Sequence, residues 1–374
     1  MAIYKIFPEK SATIYSFYPT LNTGLDEILE LSTYYSINGT DEVSRTLIQF
    51  PSAQVSGTIA NLVSSSAFDV YLKLYLANAS SIPLNYTIFS HPLSASWNMG
   101  TGRLSNVPIT TDGVSWQYKD QLGSNVWFTS ASVTTQTPAT GSYRSGSNSI
   151  TGSVGGGYWY TGSQYASSQS FTNSTSKDIE LKVTNAVSAS FKNVISDYGF
   201  ILKHSSSIEF TTQSKFETKY FSGNTHTIYP PCLEVRWDDF VYNTGSLSVI
   251  NSDAFVISLG NNKGEFQQDS VQRFRINSRD KFPARAFQTS SVYLNNKALP
   301  TSSYWSIKDL DSEEIVVDYD LTYTKISCDT SGSFFDVYMN GLQPERYYKL
   351  LFKTVLATGG TVISDNNYYF KVIR

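Results

Sequence analysis

Apolar and polar residues alternate along much of this chain, and a period of two is the pattern of a strand with one buried face. The alternation is clearest over residues 68–76, where every second side chain is apolar. Residues 11–31 predict two extended segments around an Asn/Gly turn, followed by a strand over residues 45–50. Further strands are predicted at residues 85–90, 178–183, 200–203, 207–211 and 232–237.

A single short helix interrupts the strand pattern in the first part of the chain. Val187, Phe191, Val194 and Ile195 recur at helical spacing. Thr184 precedes them and is a residue type that caps helix N-termini. We therefore expect a helix that follows Thr184 and ends at Asp197-Tyr198-Gly199.

Chain length and a second series of alternating runs predict two domains. A chain of 374 residues is too long for one sandwich core. Residues 1–237 are expected to form a jelly-roll-like β-sandwich, residues 238–245 a linker, and residues 246–374 an immunoglobulin-like β-sandwich. In the latter, Pro344-Glu345-Arg346-Tyr347-Tyr348 precedes the penultimate predicted strand and resembles the corner in which such sandwiches use a tyrosine to tie down a turn. The predicted class is all-β, with long loops and one short helix in the first domain.

Residues 129–177 differ in composition from their surroundings, since Ser, Thr and Gly dominate and aromatic residues are widely spaced. Such a segment buries too little apolar area to form a domain, so we expect a long loop inserted in the first domain. Its aromatic residues have two interpretations: they hold the loop against the domain, or they form a contact surface for a protein or a sugar. They are Tyr143, Tyr158, Trp159, Tyr160 and Tyr165.

Composition narrows the functional classes. Charged residues make up 16% of the chain and the net charge is −3, so we expect no binding of nucleic acid. No signal peptide and no apolar run of the ~20 residues that cross a bilayer are visible, which predicts synthesis in the cytoplasm without membrane insertion. Cys232 and Cys328 each lie in an alternating run, and we expect buried free thiols.

Residues that could carry chemistry are scattered. His91, His204 and His226 are far apart in sequence, and no spacing typical of a metal site is present. Short acidic clusters at residues 26–27, 238–239 and 311–314 fall in predicted turns, where capping or solvation is the usual role. Calcium in such a loop and a pair of glycosidase carboxylates are left as alternatives. We expect no catalytic residue, no metal and no cofactor.

A basic patch is predicted in the second domain. Alternation places Arg273 and Arg275 on the outer face of one strand. Charged residues protect edge strands from aggregation, which is one interpretation of this pair. The other is contact with an acidic surface of a neighbouring subunit.

Several motifs of the first 237 residues follow one another in a characteristic order. They are Asn22-Thr23-Gly24, Arg45, Trp97, Gly155-Gly156, Tyr158-Trp159, Leu181–Thr184, Tyr198–Lys203 and Pro231–Trp237. Their order and spacing resemble the DNRLRE family of jelly-roll-like domains of surface and carbohydrate-associated proteins, although the family's namesake letters are absent. The whole chain also resembles virion structural proteins of T4-like marine tailed phages, with the closest likeness at residues 272–284, 290–299, 324–328 and 340–350.

The second resemblance implies a passive component of the virion, without catalytic residues. We expect a non-enzymatic assembly or adaptor protein of the neck, tail or baseplate, which forms a symmetric homo-oligomer and contacts other virion proteins. A receptor-binding or carbohydrate-binding module is the alternative, with Tyr158, Trp159 and Tyr160 stacking on a host-surface glycan. An enzyme that cleaves glycans is a third class.

Overall fold

A computed structural model describes residues 2–35, 41–63, 67–127, 155–160, 162–209, 215–283 and 295–374. The chain is nearly all-β, as the alternation predicts, and its strands form several antiparallel sheets. It divides into two compact units. The N-terminal unit comprises Ile6–Ala60 and Asp69–Glu234, and the C-terminal unit comprises Met1–Lys5, Asn61–Phe68 and Val235–Arg374.

The unit boundaries differ in detail from the expected domains. The chain passes from the N-terminal to the C-terminal unit for the last time between Glu234 and Val235. This point precedes the segment 238–245 that was expected to be a linker. That segment belongs to the C-terminal unit, where the amide of Asn243 donates to the carbonyl of Cys328 at 2.9 Å. Residues 61–68 also belong to the C-terminal unit.

Strand β1 (Ala2–Ile6) is the first strand of the chain, and the strands of the N-terminal unit form two sheets and a small hairpin. Its strands are β2 (Lys10–Tyr15), β3 (Ile28–Tyr35), β4 (Asp41–Gln49), β5 (Phe68–Leu74), β6 (Leu76–Ser80), β7 (Asn85–Pro92), β8 (Tyr118–Asp120), β9 (Asn125–Val126), β10 (Ser167–Thr172), β11 (Ile179–Lys182), β12 (Phe200–His204), β13 (Phe216–Phe221) and β14 (Cys232–Trp237).

Strand β4 lies inside the larger sheet of this unit. The strand order is β10-β7-β12-β4-β3-β13-β6, and β2 also pairs with β4. The predicted pair of segments around the Asn/Gly turn exists as β2 and β3, but both pair with β4 instead of with each other. Strands β14, β5 and β11 pair in that order in a second sheet, and β8 pairs with β9. On β5, Val70, Leu72 and Leu74 are fully buried, which confirms the predicted inward face.

Helices are more numerous than the sequence indicated. The described residues contain α1 (Ser52–Asn61), α2 (Thr184–Phe191) and α3 (Ser206–Glu209). Helix α2 confirms that a helix is present, but it ends at Phe191, so Val194 and Ile195 lie beyond it. Val183 is its N-cap, and the Thr184 hydroxyl accepts from the amide of Val70 at 2.9 Å. Helices α1 and α3 were missed, and α3 lies where a strand was predicted over residues 207–211.

The turn between β2 and β3 is held by one buried amide side chain. Asn22 is fully buried, and its Nδ2 donates to the carbonyls of Met99 (2.7 Å) and Val114 (2.8 Å). Its Oδ1 accepts from the amides of Gly24 (3.2 Å) and Gly102 (2.7 Å). A Cβ at residue 102 would lie 2.2 Å from the Asn22 carbonyl oxygen, so the close approach requires glycine. This network fixes the Asn-Thr-Gly turn to the Gly-rich turn after Trp97.

The C-terminal unit is a sandwich of two sheets. The sheet orders are β15-β17-β21-β20 and β16-β23-β22-β18-β19, in which β16 and β23 are parallel. Phe274 and Phe335 of the first sheet pack with Trp305, Phe352 and Phe370 of the second in one core. The strands are β15 (Phe255–Gly260), β16 (Glu265–Gln267), β17 (Val271–Asp280), β18 (Ser303–Asp309), β19 (Ile315–Val317), β20 (Ser327–Asp329), β21 (Gly332–Tyr338), β22 (Tyr347–Val355) and β23 (Thr361–Ile373), with a 3₁₀ turn at Met339–Gly341.

Two predictions of detail are confirmed in the structure. The Tyr348 hydroxyl donates to the carbonyl of Gln343 at 3.1 Å, so this tyrosine ties down the turn before β22. Cys232 and Cys328 are buried free thiols.

Candidate functional site

The aromatic residues of the predicted contact surface differ in how deeply the structure buries them. Trp159 is only 5% exposed and pairs with Leu93 in an isolated bridge, so it is not a free stacking platform. Tyr158 is half-buried and packs against the apolar core to which Trp159 belongs. Four tryptophans fill this core over one face of the larger sheet; they are Trp97, Trp116, Trp127 and Trp159. The interpretation in which the aromatics hold the segment against the domain describes Trp159 correctly.

The remaining aromatics of that segment have different positions. Tyr160 and Tyr165 are half-buried, with ring centroids 6.4 Å apart. The Tyr160 hydroxyl accepts from the amide of Ser196 at 3.2 Å, which fixes the loop between α2 and β12. Tyr143 lies outside the described residues. The predicted loop over residues 129–177 also contains β10, which pairs with β7, so this part is sheet and not loop.

A buried cluster of charges lies behind Trp159. Arg45 is fully buried and forms a bidentate ion pair with Glu209, with both nitrogen–oxygen distances 2.9 Å. Its Nη1 donates to the carbonyl of Gly156 at 2.6 Å, and the Trp116 and Trp159 rings lie 4.9 and 5.4 Å from its guanidinium carbon. Lys203 Nζ lies 3.2 Å from Glu209 Oε2. We name Arg45, Lys203 and Glu209 the buried charge cluster.

The cluster explains why residue 156 is a glycine, and its burial and mutual contacts shift the pKa values of its members. Gly156 has φ +89°, and a Cβ there would lie 2.7 Å from the Arg45 Nη1. Glycine is therefore sterically required at residue 156. Burial lowers the pKa of Lys203. Burial alone would raise the pKa of Glu209, but Arg45 and Lys203 together hold it below its ordinary value. Glu209 is thus paired with both basic side chains of the cluster.

The three histidines lie at separate positions. Burial, with the Lys203 and Arg45 charges, lowers the pKa of His91 to about 4. Burial likewise lowers the pKa of His204 to about 4. His226 is exposed, with Nε2 3.9 Å from a Glu27 carboxylate oxygen. Over the described ranges, no group of three or more His, Cys, Asp or Glu side chains is placed to hold a metal ion.

The predicted acidic turn at residues 26–27 is bound to its surroundings. The Asp26 carboxylate accepts from the amide of Leu104 at 3.1 and 3.2 Å, and burial raises its pKa to about 6. Glu27 lies 3.6 Å from Arg103. The nearby Glu30 accepts from the Tyr15 hydroxyl at 2.9 Å. These contacts fit the turn-holding role.

The basic patch is paired within the C-terminal unit. Arg273 forms a bidentate ion pair with Asp336 (2.8 and 2.7 Å), and Arg275 Nη1 lies 2.6 Å from Asp329. Both guanidinium carbons lie over the Phe334 ring, at 4.3 and 5.2 Å. Strand β17 is flanked by β15 and β21, so the interpretation as protection of an edge strand is wrong.

A cleft of about 320 Å³ lies between α1 and α2 in the N-terminal unit. Apolar side chains from both helices and from β12 line it, including Val55, Phe191 and Phe200. Phe191 is 40% exposed, so its ring is accessible from the cleft. Asp197, at the end of the loop that Tyr160 fixes through Ser196, provides the carboxylate of the lining. We name this the α1–α2 cleft.

Asp197 is held in place by hydrogen bonds. The Ser52 hydroxyl at the start of α1 and the Gly199 backbone amide donate to its carboxylate, while burial raises its pKa. The sequence pattern placed Asp197 only at the end of the predicted helix, and helix α1 was not predicted. The available signal was Pro51-Ser52 followed by Val55 and Ile59 four residues apart, a helix start with one apolar face.

A scan against models of protein families gives no match to this chain, and neither does a search of curated proteins. In the part of the chain that the structure describes, no helix is long and apolar enough to cross a membrane.

Proposed function

We propose that the chain is a non-enzymatic structural protein of a tailed-phage virion, an assembly or adaptor component of the neck, tail or baseplate. The proposal that the protein is not an enzyme rests on the pairing of its buried carboxylates with basic side chains. Four carboxylates are buried among the described residues, and each one lies beside a lysine or arginine. The pairs are Glu30–Lys219 (2.9 Å), Glu209–Arg45 (2.9 Å), Glu234–Lys73 (3.4 Å) and Asp309–Arg346 (2.6 Å).

The arrangement does not favour the alternative of glycan cleavage. A glycosidase needs two carboxylates on either side of the scissile bond. The residues that line the α1–α2 cleft include one carboxylate, that of Asp197. The virion assignment itself is supported by the resemblance of the sequence to phage structural proteins.

An assembly protein needs exposed side chains that can be buried against a neighbour. Phe17 and Tyr18, in the loop after β2, are each 46% exposed, and their rings meet edge to face with centroids 4.7 Å apart. Aromatic side chains carry a large share of binding energy at protein interfaces. We propose this pair as a contact with a neighbouring virion protein.

The test compares particle incorporation of two variants. Phe17→Ser with Tyr18→Ser removes the aromatic pair, and Leu84→Ser removes an isolated apolar side chain that is 71% exposed. Both proteins are expected to fold normally, as measured by circular dichroism. Quantitative mass spectrometry of purified particles should show loss of the double variant and normal incorporation of Leu84→Ser. Equal incorporation of both variants would contradict the assigned contact, and absence of the wild-type chain from particles would contradict the virion assignment.

A further inference from the structure

The α1–α2 cleft carries one charge and no counter-charge of its own. Among the residues that the structure describes, its lining contains the Asp197 carboxylate and no lysine, arginine or histidine. Two buried acids of the same unit, by contrast, have a base close by: Glu234 lies 3.4 Å from Lys73, and Glu209 lies 2.9 Å from Arg45. The cleft is therefore electrostatically complementary to a cation and repels an anion.

The carboxylate of Asp197 has room for a further donor. An ionised carboxylate offers about four acceptor positions. Ser52 and Gly199 supply two of the donors, and they fix the direction of the group. The rest of the lining includes the rings of Phe50, Phe191 and Phe200. Phenyl rings pack against an alkyl chain and attract a positive charge over their faces.

We propose that the α1–α2 cleft binds an alkylammonium group, with Asp197 as its counter-ion and the phenyl rings around its alkyl chain. The volume, about 320 Å³, is at the lower end of the range for ligand pockets, which suits one short chain better than a polymer. An apolar ligand without a donor would remove the carboxylate from water without compensation. The inference is independent of the proposed virion role, because a free amine and a lysine of a partner chain share this chemistry.

The probes are n-butylammonium and its neutral counterpart n-butanol, titrated into the full chain. Binding is measured by calorimetry and located by NMR shifts of the Val55 and Val187 methyl groups, which line the cleft. A charge-assisted hydrogen bond predicts that n-butanol binds at least about tenfold more weakly. N-acetyl-lysine methylamide separates the two sources: tighter binding than n-butylammonium indicates a lysine in a peptide, and equal binding indicates the amine alone.

Two variants assign the effect to one carboxylate. Asp197→Asn keeps the shape and should weaken n-butylammonium binding at least about tenfold. Glu180→Gln removes the same charge from a side chain that is 44% exposed and should leave binding unchanged. The methyl shifts in the wild-type chain keep the proposal testable even if Asp197→Asn does not fold. Equal affinity for n-butanol, no methyl shift, or preferential binding of methyl glucoside over n-butylammonium would overturn it.

Discussion

Replacing Glu209 by glutamine tests the buried charge cluster with almost no change in shape. The variant removes the single negative charge between Arg45 and Lys203, whose nitrogens lie 2.9 and 3.2 Å from it. Two buried cations then face each other without an anion. Breaking a buried ion pair in this way costs about 3–5 kcal/mol.

The expected value lies near the lower end of that range. Arg45 keeps its hydrogen bond to the Gly156 carbonyl and its contacts with two indole rings. Burial already lowers the pKa of Lys203, so this side chain can release its proton and reduce the repulsion. We therefore expect the free energy of unfolding to fall by about 3 kcal/mol. At ~2–4 °C per kcal/mol, Tm should fall by roughly 6–12 °C.

Urea unfolding followed by tryptophan fluorescence measures this loss, because the Trp116 and Trp159 rings flank the guanidinium. The control is Lys182→Gln, which removes a 2.7 Å ion pair with Asp69 whose lysine is 56% exposed. This pair should contribute less than ~1 kcal/mol. If Glu209→Gln also changes the free energy of unfolding by less than about 1 kcal/mol, the cluster does not hold the fold as described.

Three further predictions concern other contacts. Asn22→Ala removes the four hydrogen bonds of a fully buried side chain. It should lower the free energy of unfolding by about 4 kcal/mol or prevent folding, as measured by urea unfolding; a loss under ~1 kcal/mol would refute this. The pKa of Asp26 is raised to about 6, so the folded state retains a proton between pH 4 and 6 and stability rises as pH falls through that window. Asp26→Asn should therefore stabilise the protein by about 1 kcal/mol at pH 8, after allowance for solvent screening, and flatten the pH dependence of Tm; an unchanged slope would contradict the shift. Arg273→Ala should cost less than ~1 kcal/mol by the same assay, because its side chain is 50% exposed; a loss above ~2 kcal/mol would show a structural role for its ion pair with Asp336.

Strand positions could be predicted because the period of two is local in the sequence. Residues 68–76 alternate, and the structure buries the expected side of β5. The partners of each strand could not be predicted, because pairing depends on the whole sheet. Strand β4 thus lies between β2 and β3, although the turn pattern favoured their direct contact.

The roles of single residues depended on tertiary neighbours. Trp159 lies in a Ser/Thr/Gly-rich segment whose composition left both burial and exposure of its aromatics open, and packing in the core beside Arg45 buries it. Asp197 has an ordinary sequence context, and only the packing of α1 against α2 forms a cleft around it. Helix α1 was missed because it contains Gly57 and Thr58, residues with low helix propensity.

A reconstruction of purified particles of the tailed phage that we propose encodes this chain tests the central claim most directly. We predict that density for both β-sheet units is present at symmetry-related positions in the neck, tail or baseplate, with Phe17 and Tyr18 against a neighbouring protein. A particle map of sufficient quality in which all density is explained by other proteins would contradict the claim.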